Sequence, residues 1–153
     1  MMRYLTLLPF MGLVAIVAST GTFFQPGVWY EGLAKPSFTP PGWVFGPVWT
    51  VIYALIAIAG WLVWRAEGFG LLLAVWAVQL IFNMAWSWLM FDRHAIGWAF
   101  VDIVAMWLSI AAFMMLAWPT YPVAVAFFGI YLAWVTFAAT LNFRIWQLNP
   151  GAG

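Results

Sequence analysis

Residues 95–117 read AIGWAFVDIVAMWLSIAAFMMLA, a stretch in which Asp102 is the only charged residue. A helix that crosses a bilayer needs about 20 mainly apolar residues, and this segment supplies them without a break. Four more segments read the same way: 4–23, 44–64, 70–91 and 122–146. Glu67 and Gly68 close the second of the five, and Asp92, Arg93 and His94 close the third. Pro119 and Pro122 part the fourth from the fifth, because proline stops a helix or starts one. Connections of a few residues make consecutive helices antiparallel. The expected fold is an all-α integral membrane protein, a single domain over residues 1–153. It is a bundle of five transmembrane helices with one long ordered loop, 24–43, between the first and second.

Composition agrees. The chain is 67% hydrophobic and 6% charged, whereas a soluble domain carries roughly a quarter charged residues. A net charge of +1 excludes a basic nucleic-acid face. The absence of cysteine excludes disulfides, thiolate nucleophiles and iron–sulfur ligation. A single histidine, His94, excludes centres that need several imidazoles, so no metal site is expected. The only lysine, Lys35, sits beside Pro36 between two spans, which argues against a retinal-type Schiff base inside the bundle. Arg3 ahead of an apolar run has the look of a secretory signal, but the run is long for one; the expectation is a retained first helix. Lys35, Arg93 and Arg144 fall on one side of the membrane and Arg3 and Arg65 on the other. Three against two is too thin a bias to set an orientation.

The loop 24–43 is not a polar linker. Gly27, Gly32, Gly42, Pro26, Pro36, Pro40 and Pro41 stiffen it, and Trp29, Tyr30 and Phe38 make it apolar. Loops of this length in a compact domain tend to be lids or binding loops. A folded plug that merely seals one end of the bundle is the other reading, and composition does not separate the two.

The chain holds 13 tryptophans. Trp43, Trp61, Trp64, Trp88, Trp118 and Trp146 lie near helix ends, where an interfacial belt explains them. Trp107 and Trp134 sit mid-span, so their indole N–H groups need a partner or a polar cavity. Three helices carry aromatic and polar stripes at helical spacing: Phe45, Trp49, Tyr53 and Ile56 on the second; Gln79, Asn83 and Ser87, with Trp86 beside them, on the third; Tyr131, Trp134, Ala138 and Asn142 on the fifth. Amides in hydrocarbon face inward, toward other helices or a cavity. Interhelical glue explains each stripe taken singly; three together beside an aromatic loop point to a pocket for a flat ligand. Asp102 is an intramembrane acid without a second acid in any span, so a carboxylate pair for acid–base work is missing; pairing with a neighbouring helix is its expected role. Arg144 reads as a snorkelling anchor. Gly70 and Ala74 form a small-xxx-small face suited to close helix packing, within the bundle or between protomers.

At this point a family resemblance emerges. Residues 29–41, WYEGLAKPSFTPP, followed by Trp43, Phe45, Pro47, Trp49 and Tyr53, resemble the tryptophan-rich sensory protein/translocator protein (TspO) family. So do Gln79, Asn83 and Trp86 on the third helix, and Tyr131, Trp134, Ala138, Leu141 and Asn142 on the fifth. The resemblance covers the whole chain. It implies a multi-pass protein of a bacterial-type cell envelope membrane, commonly a homodimer, that binds porphyrins such as protoporphyrin IX or haem and, in animal relatives, cholesterol and synthetic drugs. No obligatory cofactor is implied; porphyrin enters as ligand, and membrane lipid is the other partner. Carried over position by position, the pocket falls on Trp29, Tyr30, Pro40, Trp49, Tyr53, Asn83, Trp86, Trp134 and Ala138. Indole and phenol faces stack on a macrocycle, while Asn83 and Gln79 orient a polar edge. The family's sterol consensus needs a tyrosine spaced from a following basic residue; Phe143 stands in that place, with Arg144 directly after it, so this altered motif leaves sterol binding open.

Three functions compete, beside the plainer reading of a membrane scaffold acting through helix contacts. The first is a receptor or sensor for tetrapyrroles, supported by the absence of a conventional catalytic constellation. The second is light- and oxygen-dependent porphyrin breakdown, for which Trp49 and Trp134 are the candidate residues by resemblance. The third is a transporter of porphyrin or of lipid or sterol, although no internal repeat or broken mid-span helix of the transporter kind is legible.

Overall fold

The computed structural model describes residues 2–152, with side chains from Tyr4 onward; the side chain of Arg3 lies outside the described residues. Among them the chain is helical throughout, without strands. Four helices are long and apolar enough to cross a membrane: α4 (Phe45–Glu67, entered by a 3₁₀ turn Gly42–Val44), α5 (Leu71–Ser87, extended by a π turn Trp88–Asp92), α6 (Ile96–Ala117) and α7 (Pro122–Leu148). Ahead of them lie α1 (Met2–Leu5), α2 (Leu8–Phe23) and, within the long loop, α3 (Val28–Glu31).

The expected first span, 4–23, is therefore broken. Pro9 is the reason: it has no N–H to donate to the carbonyl of Leu5, and its ring crowds that carbonyl. The chain turns at Thr6 and Leu7 and restarts as α2, whose 16 residues cover roughly 24 Å at 1.5 Å per residue. That is shorter than the roughly 30 Å of a hydrocarbon core. The joint is stapled to the bundle by the Trp61 indole, which donates to Thr6 Oγ1 at 3.0 Å.

The other boundaries follow local chemistry. α4 ends on Gly68, whose positive φ of 74° suits glycine alone, and its N–H donates to Trp64 O at 2.7 Å. The π turn lets Arg93 N–H reach back to Trp88 O, and His94 then reverses the chain with φ of 53°. Pro122 opens α7 at a position that needs no N–H donor.

Around the bundle, α2 packs on α4 and α5, α5 on α6, α6 on α7, and α7 back on α4. The main core runs through all five from Val14 and Val17 to Ile56, Trp76, Ile103, Phe113 and Phe128. Outward-facing side chains are apolar too, with Ile16, Val51, Ile81, Leu108 and Ile130 all exposed. Such an exterior matches lipid as its solvent. The chain is a multi-pass integral membrane protein, a helical membrane bundle of four long apolar helices and a shorter one. Gly70 and Ala74 are exposed on its outer face.

Candidate functional site

The three stripes converge. From α4, Trp49 stacks on Tyr53 at 5.4 Å and meets Trp134 of α7 edge-on at 6.4 Å. Trp49 also lies edge-on to Tyr131 at 6.2 Å, and Phe45 meets Trp134 at 5.7 Å. From α5, Asn83 sits between two phenols: Tyr53 OH donates to its Oδ1 at 2.8 Å, and its Nδ2 donates to Tyr131 OH at 2.9 Å. Tyr131 OH in turn donates to Gln79 Oε1 at 3.0 Å, with Met106 Sδ at 3.2 Å as an alternative acceptor. Gln79 Nε2 closes the network on Trp76 O at 2.8 Å.

A second pair lies nearer the loop. Trp86 Nε1 donates to Asn142 Oδ1 at 3.0 Å, and Asn142 Nδ2 donates to Ile96 O. Ala138 is half-buried among the same core side chains.

These bonds alter one expectation. Each side-chain amide atom of Gln79, Asn83 and Asn142 already has a partner within the bundle. The amides act here as interhelical glue, because in hydrocarbon an amide without water must find a protein partner. Trp107 behaves likewise, donating to Thr136 Oγ1 at 2.8 Å. Among the described residues the exceptions are two buried atoms without partners: Trp134 Nε1 and Asp102 Oδ2. Asp102 is buried on the second turn of α6 but does not make the interhelical pair expected of it. The described basic side chains, Lys35, Arg65, Arg93 and Arg144, all lie at bundle ends or in the loop, away from it.

The loop covers the end of the bundle nearest Trp86. Tyr30 packs edge-on against Phe91 at 5.4 Å, and Phe91 meets Trp86 in the same way, so Tyr30 touches the site through one ring. Burial pushes the Tyr30 phenol above its ordinary pKa, and the Lys35 ammonium sits 4.6 Å from the centre of its ring. Lys35 also donates to the carbonyls of Glu31 and Leu33, holding the loop's own turn. Trp29 stacks on the His94 imidazole at 4.0 Å, at the rim of the bundle. Phe38 reaches α7 through Phe137 at 6.2 Å, and Phe137 in turn packs on Trp134. Pro40 is half-buried in the chain leading into α4.

Sequence reasoning missed the residue that fastens this loop. Asn149, just past the last helix, accepts from Ala34 N–H and donates to Ala34 O, both at 2.9 Å. An amide at a helix C-terminus was the available signal, but its partner 115 positions away was invisible. The reversed backbone at His94, which aims the imidazole at Trp29, was equally hidden. Replacing Asn149 with Ala removes both bonds to Ala34. At about 1 kcal/mol for the pair in an exposed setting, amide exchange at residues 33–35 is expected to speed up about fivefold while the helices keep their protection. Unchanged exchange there would show that the latch is idle.

Fold and site together define a multi-pass membrane protein built around an aromatic cluster between its long helices, with a folded loop across one end. Within that class the chain belongs to the TspO/MBR family, whose profile matches residues 7–147. It is 38% identical to protein CrtK of Rhodobacter capsulatus over 90% of this chain and 88% of that one. It is 36% identical to the translocator protein of Sus scrofa, covering 95% and 88% respectively. With the tryptophan-rich sensory protein of Cereibacter sphaeroides it shares 36% identity over 97% and 94%.

Proposed function

We propose that this protein spans the membrane five times, α1 and α2 together forming the first span, and works as a receptor-type binder of porphyrins and related flat hydrophobic ligands. Protoporphyrin IX and haem are the ligand chemistry in view. The ligand lies among Trp49, Tyr53, Trp134 and Ala138, beneath the loop that carries Trp29, Tyr30 and Pro40, with Asn83 and Trp86 on the facing helix. The observation that carries this reading is the Trp134 indole N–H. It is buried mid-span within an aromatic cluster and has no acceptor. A donor left unpaired in an apolar interior costs about 1–3 kcal/mol, and a ligand carbonyl or carboxylate oxygen would recover it. The surrounding rings meet edge-on or offset at 5.4–6.4 Å, and such faces stack equally well on a macrocycle once they part.

Protoporphyrin quenching of tryptophan fluorescence tests this. Trp134→Phe is expected to raise the apparent Kd by about tenfold, the equivalent of one lost hydrogen bond to a polar ligand group, and Trp49→Phe by less. Titration curves for both variants that overlay the parent protein would remove the site. The name translocator, carried by the pig relative, supports transport of porphyrin or lipid as a second reading. Porphyrin breakdown in light and oxygen is a third, resting on the edge-on contact of Trp49 and Trp134 that places two oxidisable rings together. The same absorbance loss with protein, free tryptophan or detergent alone would dismiss it.

A further inference from the structure

At the end of the bundle opposite the loop, a groove of about 370 Å³ separates the last turns of α4 from the first turn of α7. Leu62, Ala66, Val123 and Ala124 give it an apolar floor, and Arg65 and Thr120 give it a polar mouth. The Arg65 guanidinium lies over the Trp61 ring, its Cζ 4.5 Å from the centroid. Among the described side chains it has no hydrogen-bond acceptor, so its N–H fork is unused.

Lys35 is bonded to two carbonyls and Arg144 to Gln147. Arg93, like Arg65, lies over a tryptophan ring (Trp88, 5.8 Å from its centroid), but it is exposed and lines neither this groove nor the apolar cleft between α2 and α5. Glu67, two residues further along α4, is exposed and engaged elsewhere, accepting at 2.7 Å from the OH of Tyr121, which also lines the groove. The first turn of α7, which shares the groove, has no side-chain cap, so its positive end adds to the field of Arg65.

We propose that this groove binds the phosphodiester of an anionic phospholipid, with Arg65 forking onto the phosphate oxygens and the glycerol and acyl portion lying along the α4–α7 seam. A guanidinium matches phosphate geometry with two parallel N–H bonds. The apolar floor and the position at the end of two membrane-spanning helices fit a lipid better than a free anion, since anionic headgroups lie at that depth.

Native mass spectrometry of protein released from mixed micelles tests it, with phosphatidylglycerol and phosphatidylcholine offered in equal amounts. The parent protein should retain phosphatidylglycerol several-fold over phosphatidylcholine. Arg65→Gln should abolish that preference, Arg65→Lys should keep part of it, and Arg144→Gln, at the other end, should leave it intact. Equal retention of the two lipids by the parent protein overturns the proposal, and that arm needs no variant. So does a preference that survives Arg65→Gln, or one that millimolar inorganic phosphate removes as effectively as added phosphatidylglycerol.

Discussion

Gly60→Ala is expected to be the most damaging single methyl that can be added to this protein. A Cβ on Gly60 would come within 2.6 Å of Trp76 Cζ2 and 2.7 Å of its Nε1. That indole has nowhere to go: it is 2% exposed, and its N–H donates to Ile56 O at 2.9 Å, across the α4–α5 contact. Phe10 closes the other side, edge-on at 5.6 Å. Moving the ring would break the hydrogen bond and open the packing of α2, α4 and α5 together. Overpacking of a core costs about 1–3 kcal/mol, and the lost bond adds about 1 kcal/mol more. A fall in melting temperature on the order of 10 °C follows for a chain of this size. In a Trp76→Phe background the atoms that clash are missing, so the added methyl should cost much less there. A melting temperature unmoved by Gly60→Ala would show that the α4–α5 contact is not as drawn.

Asn83→Ala should come next. It strips Tyr53 OH of its acceptor and Tyr131 OH of a donor in one step. Unpaired buried hydroxyls cost about 1–3 kcal/mol in water-soluble proteins, whereas interhelical bonds in membranes reach at most about 1.7 kcal/mol. The expected loss is about 2 kcal/mol. Tyr131→Phe attacks the same network from the other side, so the double variant should fall short of the sum of the singles by about 1 kcal/mol. The pair of measurements also separates glue from ligand contact. As glue, Asn83→Ala lowers stability far more than porphyrin affinity, the reverse of what is expected for Trp134→Phe. Full additivity with unchanged stability would mean that the network carries no load.

Most of the site was legible because helical spacing is strict: Trp49 and Tyr53, Gln79 and Asn83, and Tyr131 and Trp134 lie three or four residues apart, and one face of a helix has one set of neighbours. What those neighbours do with their polar atoms was not legible. A stripe of amides reads the same whether it faces a ligand or another helix. Only the distances assign Asn83 to two phenols and leave Trp134 without a partner.

The apolar spans, the prolines between them and the near absence of charge determine by themselves that this chain lies in a membrane as a helical bundle with an aromatic interior. That follows because a backbone in hydrocarbon must satisfy its own hydrogen bonds within each segment, a local requirement written in consecutive residues. The break before Pro9 is equally local, set by that proline's missing N–H. The clasp of Asn149 on Ala34, the His94–Trp29 stack and the seat of Trp76 on Gly60 were decided by tertiary structure. Each depends on which side chain arrives from a distant helix, and no local pattern encodes that arrival.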